Sequence, residues 1–338
     1  MPAGRRSVGL GSVLLLALLA AAPVSVRAEP ASFAGKTIRI IVGMPPGGGV
    51  DGYARLVQRH LARFLAGTPA IVVQNMPGAG SLRAVMALVN SPEDVVGTFS
   101  SSLITEAISV PERVKVDFRD FAFIGNVSED IRVCYTRGAI GVKSLRDLAA
   151  RDQVVFGATA AGTSGNVDTA MLRHLFGIKL KQVQGYAGSA DKRLALEKGE
   201  IDGDCGGFTS IPENWLRNGK IDVLIRLSPT LLAGMDRNVP FGGDLLTNAR
   251  DRRTYDFLIA PERLGRLFMV PGKTAPDRIA ALRAAFDAMV ADPAFLAEAQ
   301  RSALTVAPMS GREVDRAVGD LYATPPDVLA RARTIAGE

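Results

Sequence analysis

Short β-branched runs alternate with helical periodicity along most of the chain, and that alternation restricts the fold to the α/β class. Thr37 to Val42 is such a run and reads as a strand. Asp51 to Leu65 follows as an amphipathic helix, with Ala54, Val57, Leu61 and Phe64 on one stripe and Arg55, Arg59 and Arg63 on another. Ala70 to Val73 reads as a strand, Leu82 to Val89 as a helix ended by Asn90-Ser91-Pro92, and Thr98 to Leu103 as a further strand. A second region repeats the pattern. Ile131 to Tyr135 is strand-like, and Ser144 caps a helix with Asp147 three residues on, as in a capping box. Val154 to Ala158 is a strand, Val167 to Phe176 a helix, Ser189 to Gly199 a helix with a glycine stop, and Ile221 to Leu227 a strand. Pro276 opens a long helix with Ile279, Leu282, Phe286 and Met289 on its apolar face. The reading predicts mainly parallel sheets flanked by helices.

The amino end has its own pattern. Arg5-Arg6 precedes an apolar stretch from Val8 to Ala22, Pro23 breaks it, and Val26-Arg27-Ala28 supplies a processing site. Residues 1–28 therefore read as a secretory signal peptide cut after Ala28. The apolar run is shorter than the roughly 20 residues of a spanning helix. Three arginines and no acids lie in this segment, so the net charge of +6 falls to +3 without it. No clustered basic face of the nucleic-acid kind is evident. Arg250-Asp251-Arg252-Arg253 is the densest charge run and reads as a solvated loop. The remaining length suggests two domains. Two histidines, His60 and His174, leave little basis for a metal site or a His-based catalytic centre, and no cofactor fingerprint occurs. Cys134 and Cys205 are a candidate disulfide pair in an oxidising compartment, two separately buried thiols being the alternative.

The chemistry-bearing segments are loops after strands. The first is Gly43-Met44-Pro45-Pro46-Gly47-Gly48-Gly49-Val50-Asp51, stiffened by prolines and open to close backbone approach at its glycines. It feeds a helix amino end, where free N–H groups and the dipole favour an anion. Asp51 reads as a helix cap rather than an acid catalyst. The second loop is Thr159-Ala160-Ala161-Gly162-Thr163-Ser164-Gly165-Asn166, and the third Gly185-Tyr186-Ala187-Gly188-Ser189. Ser164 lacks the G-x-S-x-G elbow of a hydrolase nucleophile, and no pattern places a histidine beside it. Open α/β sheets bind ligands at such strand ends.

These segments resemble the solute-binding receptors of tripartite tricarboxylate transporters, the TctC-like family. The resemblance rests on Ile40 to Asp51 with Ala54-Arg55, on Asn75-Met76-Pro77-Gly78-Ala79-Gly80, on Gly162 to Gly165, on Tyr186 to Ala190, on Gly199 to Asp202, and on Thr274-Ala275-Pro276. The chain departs from relatives at Asn166, at Gly185 and at Asp204-Cys205-Gly206-Gly207. The resemblance implies a periplasmic, two-lobed binding-protein architecture of type II-like form, with residues 29–127 plus 229–338 in lobe 1 and 128–228 in lobe 2. It implies no enzyme activity, no cofactor and no metal, a monomer, a small di- or tricarboxylate or related acid as ligand, and membrane permease subunits as partners. It further implies that backbone N–H groups and water hold the carboxylate, without an arginine clamp. The expected ligand set is Met44, Pro45, Pro46, Gly47, Gly48, Gly49, Asp51, Ser101, Thr159, Gly162, Thr163, Ser164, Gly165, Tyr186, Gly188 and Asp204. A ligand-sensing receptor for a signalling partner needs the same cleft and is the alternative function; a hydrolase-type enzyme is the more distant one.

Overall fold

The computed structural model describes residues 31–91 and 94–337, together with Met1, Ala3 and Gly4. The apolar leader segment and its cleavage site at Ala28 lie outside the described residues, as does Pro92.

The chain begins with β1 (Thr37–Val42), α1 (Gly49–Leu61), β2 (Ala70–Asn75), α2 (Leu82–Val89), β3 (Val95–Thr98), α3 (Ser102–Ser109) and β4 (Phe121–Asn126). It then crosses to β5 (Arg132–Arg137), α4 (Leu145–Ala149), β6 (Val154–Gly157), α5 (Ser164–Phe176), β7 (Leu180–Val183), α6 (Ser189–Lys198), β8 (Gly203–Gly207), α7 (Glu213–Arg217) and β9 (Ile221–Arg226). It returns through α8 (Ala249–Ile259), β10 (Leu267–Pro271), α9 (Pro276–Val290), α10 (Pro293–Arg301), β11 (Met309–Ser310), α11 (Gly311–Tyr322) and α12 (Pro326–Ala336).

Two sheets result, in the orders β11-β4-β10-β3-β1-β2 and β7-β6-β8-β5-β9. Both are mixed, which corrects the expectation of mainly parallel sheets. β1 pairs in parallel with β2 and β3, but β10 runs antiparallel to β3 and β4, and β11 to β4. In the second sheet β6 is parallel to β7 and β8, whereas β5 is antiparallel to β8 and β9. The cause is the crossing between lobes. β4 passes to β5 without an intervening helix, and β10 arrives from the other lobe, so the crossover that would enforce a parallel neighbour is missing there. Element alternation along the sequence carries no information on that direction.

Sequence reading placed a strand over Thr98 to Leu103. The strand stops at Thr98 and α3 begins at Ser102. Leu103, Ile104 and Ala107 pack inward at helical spacing, which a six-residue window cannot separate from a buried strand. α5 starts at Ser164, before the Val167 expected. Its first turns are buried yet polar, so apolar periodicity is silent there. Three of the buried polar side chains there have partners instead: Asn166 Oδ1 accepts from Gln182 at 2.8 Å, Thr169 donates to Gly165 O at 2.8 Å, and Asp168 meets Arg132. Ser144 does accept the Asp147 N–H, at 3.1 Å, as the capping signal required. Gly199 closes α6 with φ of 76°, a left-handed position that suits glycine.

The chain between the lobes is less sharply divided than 229–338 with lobe 1 would imply. Phe241 bridges to Arg226 of β9, and the Tyr255 hydroxyl on α8 donates to Leu227 O at 2.7 Å. α12 packs against α3, α5 and α8 together, burying Val328, Ala332 and Ile335. One apolar cluster therefore runs behind both sheets, from Phe99 and Leu103 to Phe156, Met171 and Ile335. No helix among the described residues is long and apolar enough to cross a membrane.

Candidate functional site

A cleft of ≈ 180 Å³ opens between the two sheets, lined by residues from both. The loop after β1 forms one wall. Its shape is set from behind by Asp51, which accepts from Gly47 N at 2.9 Å, Arg55 Nε at 2.9 Å and Asn75 Nδ2 at 2.8 Å. Burial works against the charged form of Asp51, but hydrogen bonds from Arg55, the Gly47 amide and Asn75 outweigh it and hold the carboxyl below its ordinary value. Asp51 is not the cap, as the sequence suggested. Gly48 occupies that position, and Asp51 lies in the first turn, where a negative charge also suits the dipole. The first amides of α1 lack intrahelical partners, and Gly48, Gly49 and Val50 face the cleft with Met44, Pro45 and Pro46.

The opposite wall is the end of β6 and the start of α5. Thr159 and Thr163 join their hydroxyls at 2.6 Å, and Thr163 Oγ donates to Ala160 O at 2.7 Å. That folds the loop so that Ser164 and Gly165 present the first turn of α5 to the cleft. Gly188 at the start of α6 completes this side, with Ser189 to Asp191 beyond it. From the first lobe, Ser100 and Ser101 contribute the turn before α3.

Of the expected ligand set, Met44, Pro45, Pro46, Gly48, Gly49, Ser101, Thr159, Thr163, Ser164, Gly165 and Gly188 therefore meet around one cavity. Gly47, Asp51, Gly162, Tyr186 and Asp204 do not line it. Gly47 and Asp51 brace the loop from behind. Gly162 joins the lobes, its carbonyl accepting from Ser102 Oγ at 2.8 Å. Tyr186 packs against the apolar cluster of the second lobe. Asp204 sits one layer back, accepting from Tyr135 O–H at 3.1 Å and from Lys192 Nζ at 2.5 Å.

The cleft also holds cations that the sequence did not single out. Three buried cations line it: Arg132, Lys192 and Arg266. Arg266 Nη2 meets Asp130 Oδ1 at 2.7 Å, and Arg132 Nη1 meets Asp130 Oδ2 at 3.1 Å. Arg132 Nε also reaches Asp168 Oδ2 at 2.5 Å and Glu262 Oε2 at 3.5 Å. Burial pushes the carboxyls of Glu262 and Asp168 upward, Asp168 to about 6, against the attraction of Arg132. Asp130 goes the other way: burial is outweighed by Arg266 and Arg132, which hold it low. Lys192 lies 3% exposed in the first turn of α6. The sequence held one signal for this floor, since Arg132 and Lys192 are charges at positions an apolar pattern reads as interior.

Cys134 and Cys205 face each other across the β5–β8 pair with Cα atoms 4.1 Å apart and are disulfide-bonded. His60 is held by Glu298 at 2.6 Å. His174 lies at the far end of α5 from Ser164, about 15 Å along the helix axis. Neither histidine is placed to activate Ser164.

Two sheets flanked by helices, with a helix amino end from each at a shared cleft, make a two-lobed α/β architecture. Comparison with known proteins agrees. No protein-family model matches the chain. It is 30% identical over 220 residues to Protein BugT of Bordetella pertussis, covering 62% of this chain and 64% of that one. The chain thus matches a little under two thirds of the length of this curated relative. Its fold is that of the periplasmic binding protein BugD, with a TM-score of 0.71 at 17% identity over 89% of this chain and 97% of the other. A TctC solute-binding protein from Polaromonas gives a TM-score of 0.61 at 19% identity, over 86% and 97%. MatC from Rhodopseudomonas palustris with bound malate gives 0.67 at 17% identity, over 89% and 98%. The likeness in fold is to periplasmic binding proteins of the TctC and Bug kind.

Proposed function

We propose that the chain is an extracytoplasmic receptor that captures a small organic acid in the cleft and presents it to the permease of a tripartite transporter. The observation that carries this reading is the convergence of two helix amino ends, α1 from one lobe and α5 from the other, on one cavity edged by buried cations. Free amides at a helix start, reinforced by a guanidinium or ammonium group, are suited to a carboxylate. The malate seen in MatC supports an acid of this size. Ser102 bonded to Gly162 O and Gly188 drawn up to Pro45 fit lobes that close over a ligand, so that the closed form is what a membrane partner would read.

A thermal-shift screen of mono-, di- and tricarboxylates, aromatic acids and amino acids tests the reading. A binder at a hundred times its Kd should stabilise the protein by about 2.7 kcal/mol. A folded protein that no acid stabilises would overturn the proposal, and turnover of a bound acid would return an enzyme to consideration. Loss of uptake in a deletion strain, rather than loss of gene induction, is the outcome expected of a transport receptor.

A further inference from the structure

The turn between β2 and α2 holds its backbone at positive φ for four residues in succession: 139° at Gly78, 45° at Ala79, 61° at Gly80 and 86° at Ser81. Two of the four carry a Cβ, which makes that region unfavourable. Ala79 is exposed, but Ser81 is 1% exposed. Glycine would suit the backbone at 81 better, so the serine is there for its hydroxyl. That hydroxyl donates to Gly43 O at 3.1 Å, with Met44 Sδ a weaker acceptor at 3.5 Å, and it accepts the Ser100 amide at 3.1 Å. Gly43 and Ser100 stand just past Val42 and Thr98, the last paired residues of β1 and β3. The Ser81 oxygen therefore ties two neighbouring strand ends together where both chains turn into the cleft. The fit is close: a Cβ on Gly43 would fall 2.6 Å from Ser81 Cβ and 2.7 Å from Ser81 Oγ.

Beyond each tied end lies cleft wall. Met44 follows Gly43, and Met44, Ser100 and Ser101 line the cavity, while Ser81 stands behind them. The same line of contacts reaches the other lobe. Ser100 Oγ and Ser102 Oγ are 2.9 Å apart, and Ser102 donates to Gly162 O at 2.8 Å. Gly80 meets that loop as well, since a Cβ on it would stand 2.8 Å from Ala161 O. We infer that Ser81 is a positioning residue for ligand capture: its hydroxyl joins the start of the loop after β1 to the turn before α3, so that Met44, Ser100 and Ser101 keep one arrangement around the cleft. The inference rests on the organic-acid reading above and adds to it a residue, outside the cleft, that shapes the first-lobe wall.

Two variants separate the hydroxyl from the backbone. Ser81→Ala keeps the left-handed strain and removes the hydroxyl, whereas Ser81→Gly removes both. Ser81→Gly should therefore melt at a higher temperature than Ser81→Ala. Calorimetry with succinate, malate and adipate as probes should nevertheless find both variants weaker than wild type by about tenfold, the scale of one lost hydrogen bond. Hydrogen exchange of the ligand-free proteins supplies a second reading. The Ser100 amide and the amides of residues 43–49 should exchange about tenfold faster in both variants, while α5 in the other lobe keeps its wild-type rate. An affinity that follows melting temperature, with Ser81→Gly binding as wild type does, would overturn the inference and leave the organic-acid reading standing. If Ser81→Ala does not fold, Ser81→Gly against wild type decides the matter alone. If none of the three acids binds the wild-type protein, the exchange measurement decides: unchanged rates at Ser100 and at 43–49 would overturn the inference, and the organic-acid reading is judged separately by the broader screen.

Discussion

Lys192 donates to the main-chain carbonyl of Cys205 at 3.1 Å. The carbonyl sits on β8 directly opposite Cys134 of β5, the residue to which Cys205 is bonded. Arg132, two residues before Cys134, points Nη2 at the same carbonyl from 3.5 Å. The disulfide therefore fastens the strand that accepts from both cations to the strand that carries one of them. A buried charge is useful to a ligand only when its own geometry is fixed, and here the fixing element is covalent.

Replacing both cysteines by serine should accordingly act twice. The crosslink spans a sequence separation of 71. Its loss should lower stability by about 2–4 kcal/mol in urea or thermal unfolding. Affinity for the ligand found by screening should weaken as well, because Lys192 and Arg132 lose a fixed acceptor. Thiol titration of the denatured, unreduced wild-type protein should find no free thiol. Two free thiols there would show that the pair does not form.

Two glycines of the cleft loops should respond in opposite ways to alanine. Gly162 has φ of +78°, and a Cβ there would fall 1.6 Å from Glu106 Oε2. The left-handed backbone alone costs roughly 1–2 kcal/mol with a side chain, and Glu106, tied to Arg113 at 2.5 Å, must also be displaced. Gly162→Ala should be markedly less stable than wild type by chemical denaturation. Gly48 has φ of −86°, and the nearest atom to its Cβ would be Pro45 O at 3.7 Å. Gly48→Ala should fold within about 1 kcal/mol of wild type. Equal losses in the two variants would contradict this account of the loops.

The same open space makes Gly48→Asp a clean probe of the anion end. It adds a negative charge beside the amides of α1 without a steric conflict, so binding should fall by more than about a hundredfold while the protein stays folded. Ser164→Ala removes a single hydroxyl from the other end and should cost about tenfold or less. Calorimetry orders the two. A folded Gly48→Asp protein binding as tightly as wild type would mean that the first loop is not the anion end.

Much of the fold was legible because strands such as Ile38 to Val42 are buried and short, and because caps such as Ser144 and stops such as Gly199 are local chemistry. Two things were not. Strand direction at β10 depends on a crossing between lobes, which no local pattern encodes. The ionic floor is assembled from Asp130, Arg132, Asp168, Lys192, Glu262 and Arg266, positions far apart in sequence whose partners only the fold supplies. The glycine-rich walls could be read because backbone approach leaves a compositional trace. A buried lysine leaves none beyond an interruption in an apolar pattern.

That floor should also give stability an unusual dependence on pH. The Asp168 carboxyl is pushed up to about 6, chiefly by burial, from an unfolded value of 3.8. Between those values the folded protein holds a proton that the unfolded chain releases. The stability this group contributes is therefore complete below about pH 4 and is lost as pH rises through 6, a change of up to about 3 kcal/mol. Glu262, also raised by burial, acts in the same direction. Asp130 and Asp51 act oppositely: both are held low by cationic and hydrogen-bonding neighbours, so their contribution is present above about pH 4 and disappears below it. Wild-type unfolding free energy should therefore decline between pH 4.5 and 6.5, on the acid side of neutrality. Asp168→Asn removes the titration and loses a charged partner of Arg132, which lowers stability at every pH but should flatten the slope. The slope is the measurement that matters. Denaturation curves for wild type and Asp168→Asn that run parallel across this range would show that Asp168 does not titrate there, and that the proton held in the cleft floor belongs to another group.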